Sequence, residues 1–230
     1  MRIQGLQKMT LLDYPGRVAC TVFLGGCDFR CPFCHNFELV TGPMPEVLDE
    51  DEFFAFLDKR HGLLDGVAIT GGEPCLRNEL PDFIERIRKA GFSVKLDTNG
   101  YHPRMLERLV VDGLVDYVAM DIKNSRRKYA QTVGLQEIDL DRIDESIRLL
   151  MLSDVDHEFR TTVVEQVHEE SDFADIGRWI RGADRYFLQP CADRDTVPDR
   201  SLSAPEPRNL RKFKETVAQY VEHVEIRGID

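Results

Sequence analysis

The sequence has no apolar run long enough to cross a membrane. Its apolar stretches, such as residues 18–24, are far shorter than the roughly 20 residues that a membrane helix needs. Residues 1–5 also carry no apolar signal segment. We therefore expect a cytoplasmic protein. Thiols stay reduced in that compartment, so clustered cysteines predict metal binding or catalysis rather than disulfides.

Positive charge is also scarce, with 30 Lys and Arg residues against 41 Asp and Glu residues and a formal net charge of −11. A general nucleic-acid binder needs clustered cations against the phosphates. The one basic cluster lies at 123–128, and its residues 126–128 are typical of a solvated loop. We therefore predict neither a nucleic-acid partner nor a membrane partner. No repeat, low-complexity tract or linker divides the chain, which predicts a single domain over 1–230.

Strand and helix patterns alternate along the chain about six times, after a short polar start and a turn at 13–16. The apolar, β-branched runs predict strands at 17–24, 66–70, 92–97, 114–122, 157–164, 185–188 and 223–227. Apolar residues at helical spacing predict helices at 48–60, 80–90, 104–111, 140–152, 173–182 and 206–221, with a further break at Thr41 to Pro45. This alternation predicts an α/β fold with a parallel sheet and outer helices.

The unusual residues follow the ends of the predicted strands. They are the cysteine loop, 71–74, 97–99, 121–123 and 189–191. In a parallel barrel these ends meet on one face, where active sites lie. Six units are fewer than the eight of a closed barrel, which favours a partial, open (β/α)6 TIM-like barrel with parallel strands. An open sheet with helices on both faces has the same alternation and stays an alternative.

Cys27, Cys31 and Cys34, half of the six cysteines, lie in one glycine-flanked loop after the first apolar strand. A structural zinc site usually has four ligands in two pairs, and ferredoxin clusters use four cysteines. His35 is poorly placed as a fourth ligand, because adjacent side chains diverge. Three cysteines on a cubane cluster instead leave one iron open for a small molecule. The loop therefore predicts an iron–sulfur site, with a zinc-binding or electron-carrier module as alternatives.

The motif Cys27-x3-Cys31-x-Phe33-Cys34 resembles the signature of the radical S-adenosylmethionine superfamily. The following His35 and Asn36 narrow the resemblance to the glycyl-radical-enzyme activases. The chain also resembles that family, in order and approximate spacing, at 13–16, 71–74, 96–100 and 120–123. Its opening at 7–16 and its ending at 226–230 are most similar to anaerobic ribonucleoside-triphosphate reductase activating proteins.

The resemblance implies a [4Fe–4S] cluster whose open iron binds S-adenosylmethionine. One electron from a reduced flavodoxin or ferredoxin type donor would cleave the cofactor, and the 5′-deoxyadenosyl radical would take a hydrogen from a glycine of a partner enzyme. The implied partner is a glycyl radical enzyme, first of all anaerobic ribonucleotide reductase. A pyruvate formate-lyase-type activase, or a small-molecule radical enzyme such as 7-carboxy-7-deazaguanine synthase, stays an alternative. The cofactors carry the chemistry, so no acid–base pair is expected.

The family roles carry over onto matching residues. Cys27, Cys31 and Cys34 would hold the cluster. Phe33 would touch the adenine region with its ring and His35 largely with its backbone, although ordinary packing is the alternative for Phe33. At the end of the next strand, the resemblance implies that the methionine amino group is held by Gly71, Gly72 and Glu73.

Asp97, Asp121 and Lys123 are implied to lie beside the cofactor, although a partly buried ion pair would use the same residues. Asp97 and Thr98 also match a family motif that holds a monovalent cation. Further along, Arg160 is implied as a pocket arginine and Asp13 as a residue facing the incoming glycine. One departure concerns the ribose, because no histidine follows Pro190; Gln189 is a candidate replacement.

Overall fold

The computed structural model describes residues 1–41 and 47–228. Eight strands form one sheet in chain order: β1 (Gly5–Thr10), β2 (Ala19–Leu24), β3 (Gly66–Gly71), β4 (Ser93–Thr98), β5 (Tyr117–Asp121), β6 (Asp156–Val163), β7 (Arg185–Pro190) and β8 (His223–Ile226). All neighbours from β2 to β8 pair in parallel. Among the described residues β1 and β8 do not pair, so the sheet stays open between them. The partial, open barrel is thus confirmed.

Seven α-helices connect the strands: α1 (Glu50–Asp58), α2 (Leu80–Lys89), α3 (Pro103–Val111), α4 (Tyr129–Thr132), α5 (Leu140–Leu152), α6 (Glu170–Trp179) and α7 (Pro207–Val217). Each longer helix buries one apolar stripe, as the periodicity predicts; in α2 the stripe includes Phe83, Ile84 and Ile87. Neighbouring helices also pack on one another, with the rings of Phe173 and Phe213 stacked 4.5 Å apart. In the described part of the chain, no helix is both long and apolar enough to span a bilayer.

The structure contains a strand and a one-turn α-helix that the sequence patterns do not predict, besides two short 3-10 helices at Phe37–Leu39 and Pro74–Leu76. Strand β1 is antiparallel to β2, has a register shift between Gln7 and Thr10, and is half-exposed. Because the strand lies partly exposed at the edge of the sheet, its sequence is polar and lacks the apolar pattern that predicts the other strands. The one-turn helix α4 is too short to show helical periodicity. Of the break expected at Thr41 to Pro45, only Thr41 is described, and the last two residues of the ending at 226–230 also lie outside the described part.

The inner side of the open barrel is polar. Buried charges in a protein need partners, and Glu158 on β6 shows how they are supplied here. Its fully buried carboxylate accepts two hydrogen bonds from Arg227, at 2.6 and 2.7 Å, and one from the Tyr117 hydroxyl at 2.6 Å. Burial alone would raise the pKa of Glu158, but the Arg227 contacts outweigh it and lower the pKa. The barrel interior therefore holds ionised groups in pairs.

The segment after α4 holds the cysteine loop in place. The Arg30 amide donates to the Val133 carbonyl at 2.8 Å. Gly134 follows with a φ of +70°, and a Cβ there would lie 2.3 Å from the Arg30 carbonyl oxygen. Only glycine allows both this backbone conformation and this close approach.

Gly134→Ala is therefore expected to cost more stability than Gly113→Ala. Both glycines have a positive φ, but nothing lies within 4 Å of a Cβ at Gly113. The control should lose roughly 1–2 kcal/mol from the backbone conformation alone, and Gly134→Ala a further ~1–3 kcal/mol from the overlap with Arg30. Urea unfolding of the two variants measures the difference, and equal losses would show that the loop does not depend on this contact.

Candidate active site

The cysteine loop begins directly after β2 and borders a cavity of about 380 Å³ at the carboxyl ends of the strands. Cys27, Cys31 and Cys34 all line this cavity, whereas the other three cysteines of the chain do not. The loop is fixed by its own backbone, since the Cys34 amide donates to the Cys31 carbonyl at 3.1 Å. Three free thiols are thus presented to one space.

The spread of these thiols fits a cluster better than a single ion. Within the described residues, one group of three His, Cys, Asp or Glu residues has its ligand atoms all within 4.8 Å of one another, and it is the exposed set of Asp184, Glu222 and His223. The loop sulfurs do not form such a group. At least one pair of them therefore lies more than 4.8 Å apart, wider than the roughly 3.8 Å between sulfurs that share one tetrahedral zinc. A multi-iron cluster, held by one thiolate per iron, suits the wider spacing.

Gly71 at the end of β3 and Gly72 after it lie close against the end of β2 and the start of the cysteine loop. A Cβ on Gly72 would lie 2.0 Å from the Gly26 carbonyl oxygen and 3.3 Å from the Cys27 Cβ. A Cβ on Gly71 would lie 2.1 Å from the Leu24 carbonyl oxygen. Both glycines line the cavity. Because they carry no side chain, their backbone is open to a ligand beside the cluster loop, as the sequence predicts for the methionine end of the cofactor.

Glu73 lies beneath the cavity rather than in its wall. Its carboxylate is fully buried and accepts hydrogen bonds from the Cys75 amide at 2.9 Å, the Thr98 hydroxyl at 2.8 Å and the Asn99 amide at 2.6 Å. Burial raises the pKa of Glu73, and these donors act in the opposite direction. In this arrangement the side chain joins the loops after β3 and β4, and it does not present an oxygen to the cavity.

Asn99 connects this buried network to the cluster loop. Its side-chain nitrogen donates to the Cys27 sulfur at 3.7 Å, and its side-chain oxygen accepts from the Tyr101 amide at 2.9 Å. Asn99 therefore contacts one of the three loop thiols directly. The sequence places it at a strand end but gives it no role.

A row of charged side chains crosses the floor of the cavity. Arg160 on β6 donates to Asp121 at 2.9 Å and lies 3.4 Å from Asp97, while Lys123 donates to the second oxygen of Asp121 at 2.8 Å. Burial favours the neutral acids, but the neighbouring cations together outweigh it and lower the pKa of both: Arg160 with Lys95 at Asp97, and Arg160 with Lys123 at Asp121. For Lys123, burial lowers the pKa and the Asp121 carboxylate more than reverses this. All four groups are therefore ionised at neutral pH.

Lys95 extends this row and was not predicted. Its ammonium donates to the first oxygen of Asp97, and its side chain is almost fully buried. The alternation of side chains along a strand places residues two apart on the same face, which is the signal that links Lys95 to Asp97.

Phe33 and His35 line the cavity on the side of the loop after β7. The Phe33 ring is 5% exposed and meets the His168 ring edge-on, with centroids 6.5 Å apart. The His35 carbonyl accepts from the Thr196 hydroxyl at 2.6 Å, and the Pro32 carbonyl accepts from the Asp199 amide at 3.0 Å. Residues 196 and 199, in the segment after β7, are therefore hydrogen-bonded to the cysteine loop.

His168 holds the strand end that carries Lys123. Its Nδ1 accepts from the Val164 amide at 3.1 Å, so Nε2 carries the proton that is donated to the Lys123 carbonyl at 2.9 Å. Burial lowers the pKa of His168, which keeps the ring neutral.

Asp13 lines the mouth of the cavity, where its carboxylate accepts from the Thr21 hydroxyl at 2.6 Å. On the other side, Gln189 lines the cavity and Cys191 does not. Apart from Glu73, the structure brings every predicted site residue to this one cavity: Asp13, Cys27, Cys31, Phe33, Cys34, His35, Gly71, Gly72, Asp97, Asp121, Lys123 and Arg160.

The sequence of this chain is similar to those of several known proteins. A family model described as the radical SAM superfamily matches residues 21–180. A protein of Methanocaldococcus jannaschii assigned as a glycyl-radical enzyme activating enzyme is 32% identical over 238 residues, which cover 99% of this chain and 96% of the relative. A pyruvate formate-lyase-activating enzyme of Clostridium pasteurianum is 31% identical over 131 residues, or 54% of this chain and 52% of the relative.

A solved structure shares the fold at low identity. The crystal structure of Streptococcus suis SuiB bound to S-adenosylmethionine matches 90% of this chain and 52% of its own, with a TM-score of 0.68 and 11% identity. This match shows a shared fold. The family itself is shown by the sequence matches. The chain belongs to the radical SAM superfamily, whose members use a [4Fe–4S] cluster with S-adenosylmethionine, and within it to the family of glycyl-radical-enzyme activating enzymes.

Proposed function

We propose that this chain generates a glycyl radical on a partner enzyme, and that the partner is an anaerobic ribonucleotide reductase. The observation that carries the first part is the end-to-end match to the Methanocaldococcus jannaschii relative, since it spans nearly all of both proteins. The opening at 7–16, with its resemblance to the activating proteins of that reductase, supports the second part. A pyruvate formate-lyase-type partner is the second candidate, favoured by the match to the Clostridium pasteurianum enzyme over about half of this chain.

When bound and reduced, the cluster with S-adenosylmethionine supplies a radical that takes a hydrogen atom from a glycine. Cys27, Cys31 and Cys34 would hold the cluster, and the exposed backbone of Gly71 and Gly72 would receive the methionine amino group. In this proposal the protein binds and orients the cluster and S-adenosylmethionine, and the cofactors themselves carry out the bond cleavage.

The rest of the cofactor would be positioned by the row of charged side chains on the cavity floor and by the Phe33 ring. Lys123 and Arg160 offer cationic donors toward a carboxylate, and their own carboxylate partners hold them in place. Phe33 would lie against the adenine, and Gln189 would take the ribose contact that a histidine makes in some relatives. Water is restricted on the loop side by the packed Phe33 ring.

Asp13 would face the incoming glycine. It lies at the mouth of the cavity and is fixed by the Thr21 hydroxyl. The cluster would receive its electron from a reduced flavodoxin or ferredoxin type donor. A small-molecule substrate is the competing hypothesis, and it differs in the product that the radical leaves behind.

Replacement of Cys31 should abolish cluster binding, because two thiolates cannot hold the cubane. After anaerobic reconstitution, Cys31→Ala is expected to bring iron content and S-adenosylmethionine cleavage down to background. Cys191→Ala is the matched control, since this buried cysteine does not line the cavity, and it should keep both. Native cleavage by Cys31→Ala would disprove the assignment of the site. A colourless, zinc-loaded wild-type protein would favour the zinc-binding module.

The partner is tested by electron paramagnetic resonance. The reconstituted, reduced chain is mixed with S-adenosylmethionine and, separately, with an anaerobic ribonucleotide reductase and a pyruvate formate-lyase from the same source. A glycyl radical signal is expected with the reductase. A signal with the lyase alone would select the second candidate. Cleavage to 5′-deoxyadenosine without a protein radical on either partner would contradict the activase function and favour a small-molecule substrate.

A further inference from the structure

Lys95 is a buried lysine in the barrel that the proposed function does not use. The residue is 2% exposed, and it does not line the cavity. Its ammonium donates to Asp97, two residues along the same strand. A buried ammonium is costly unless it is paired, so its place beneath the cofactor cavity calls for a specific role.

Lys95 is one end of a row of five alternating charges. From Lys95 the row continues through Asp97, Arg160 and Asp121 to Lys123. Each neighbouring pair is in contact, at 3.4 Å between Arg160 and Asp97, 2.9 Å between Arg160 and Asp121, and 2.8 Å between Lys123 and Asp121. Three cations therefore share two carboxylates.

Every oxygen of the two carboxylates already meets a cation of the protein. Asp97 has Lys95 on one oxygen and Arg160 on the other, and Asp121 has Arg160 on one and Lys123 on the other. A hard monovalent cation binds through such oxygens. Neither oxygen of Asp97 is thus left without a cation of the protein, and Lys95 supplies one of the two.

The register of the sheet explains how the lysine reaches this position. Lys95 lies one step below Asp97 on the inner side of β4, and its paired residue on β3 is Ala68. Ala68 is small and leaves space for the long lysine side chain on the β3 side, whereas the paired residue on β5 is the buried Tyr117. Asp97 lines the cavity and Lys95 does not, so the ammonium approaches the carboxylate from the side away from the ligand.

We propose that Lys95 is a resident cation of this site, which neutralises Asp97 in the place of a monovalent metal ion. Through Asp97 it also positions Arg160, so it is a positioning residue rather than a catalytic one. The chain accordingly needs no added sodium or potassium to build its cofactor site. If Lys95 were buried only for packing, sodium or potassium would not compensate for its removal.

The test measures thermal unfolding of the full chain with its cluster reconstituted. Melting is followed anaerobically in potassium chloride, sodium chloride and choline chloride at equal ionic strength. Choline is too large to replace a small ion between carboxylates. Four proteins are compared: wild type, Lys95→Ala, the double variant Lys95→Ala with Asp97→Asn, and Lys89→Ala as an exposed lysine control paired with Glu85.

The wild type and Lys89→Ala are expected to melt at the same temperature in all three salts. Lys95→Ala should be destabilised in choline chloride, because it leaves a buried carboxylate without one of its cations. Potassium or sodium should restore roughly 2–4 °C of its melting temperature by binding in the vacated place. The double variant should melt above Lys95→Ala in choline chloride and show no response to the metal ions. Calorimetry should likewise show that Lys95→Ala binds S-adenosylmethionine more weakly in choline chloride than in potassium or sodium chloride, whereas binding by the wild type should not depend on the salt.

Two kinds of result would overturn the proposal, namely a metal-ion response of the wild type and evidence that Lys95 is only structural. A saturable stabilisation of the wild type by sodium or potassium, absent with choline, would show that the site takes a metal ion despite Lys95. Equal destabilisation of Lys95→Ala in all three salts, including failure to fold in every one, would show that the lysine is only structural. A double variant that is no more stable than Lys95→Ala would show the same. Both results concern the unliganded site, so they are independent of whether a glycyl radical forms.

Discussion

The site depends on one buried carboxylate. Glu73 accepts hydrogen bonds from Cys75, Thr98 and Asn99, and so joins the loops that follow β3 and β4. Asn99 then reaches the Cys27 sulfur. The Glu73 amide itself donates to the Gly26 carbonyl at 2.7 Å, which brings the glycine pair onto the cysteine loop. Removing this carboxylate would leave several donors unpaired in the interior, where each is costly.

The polar interior follows from the open barrel. The outer faces of the strands are covered by the apolar stripes of the helices, so the hydrophobic core lies between sheet and helices. The inner face is left to polar groups that must pair with one another. Glu158 with Arg227 and the row from Lys95 to Lys123 meet this requirement. The same pairing fixes the side chains that face the cofactor cavity, so stability and binding rest on the same contacts.

Much of the fold and most of the site can be predicted from the sequence, because their signals are local. The cysteine spacing, the glycine pair and the residues after each strand are each read within a few positions. A parallel β/α order then brings strand ends to one rim. What the patterns miss depends on distant contacts: β1 is recognised only by its pairing with β2. The contacts of residues 193–200 with the cysteine loop link positions that are far apart in the chain.

By itself, the sequence determined the α/β class, the three-thiol loop and the family of the chain, since these rest on residue type and short spacing. Only the tertiary structure decided that Glu73 turns away from the cavity and that Lys95 lies against Asp97. It also showed that at least one pair of the loop sulfurs lies more than 4.8 Å apart. The reason is that burial and charge pairing are set by the curvature and register of the sheet, and no local pattern encodes them.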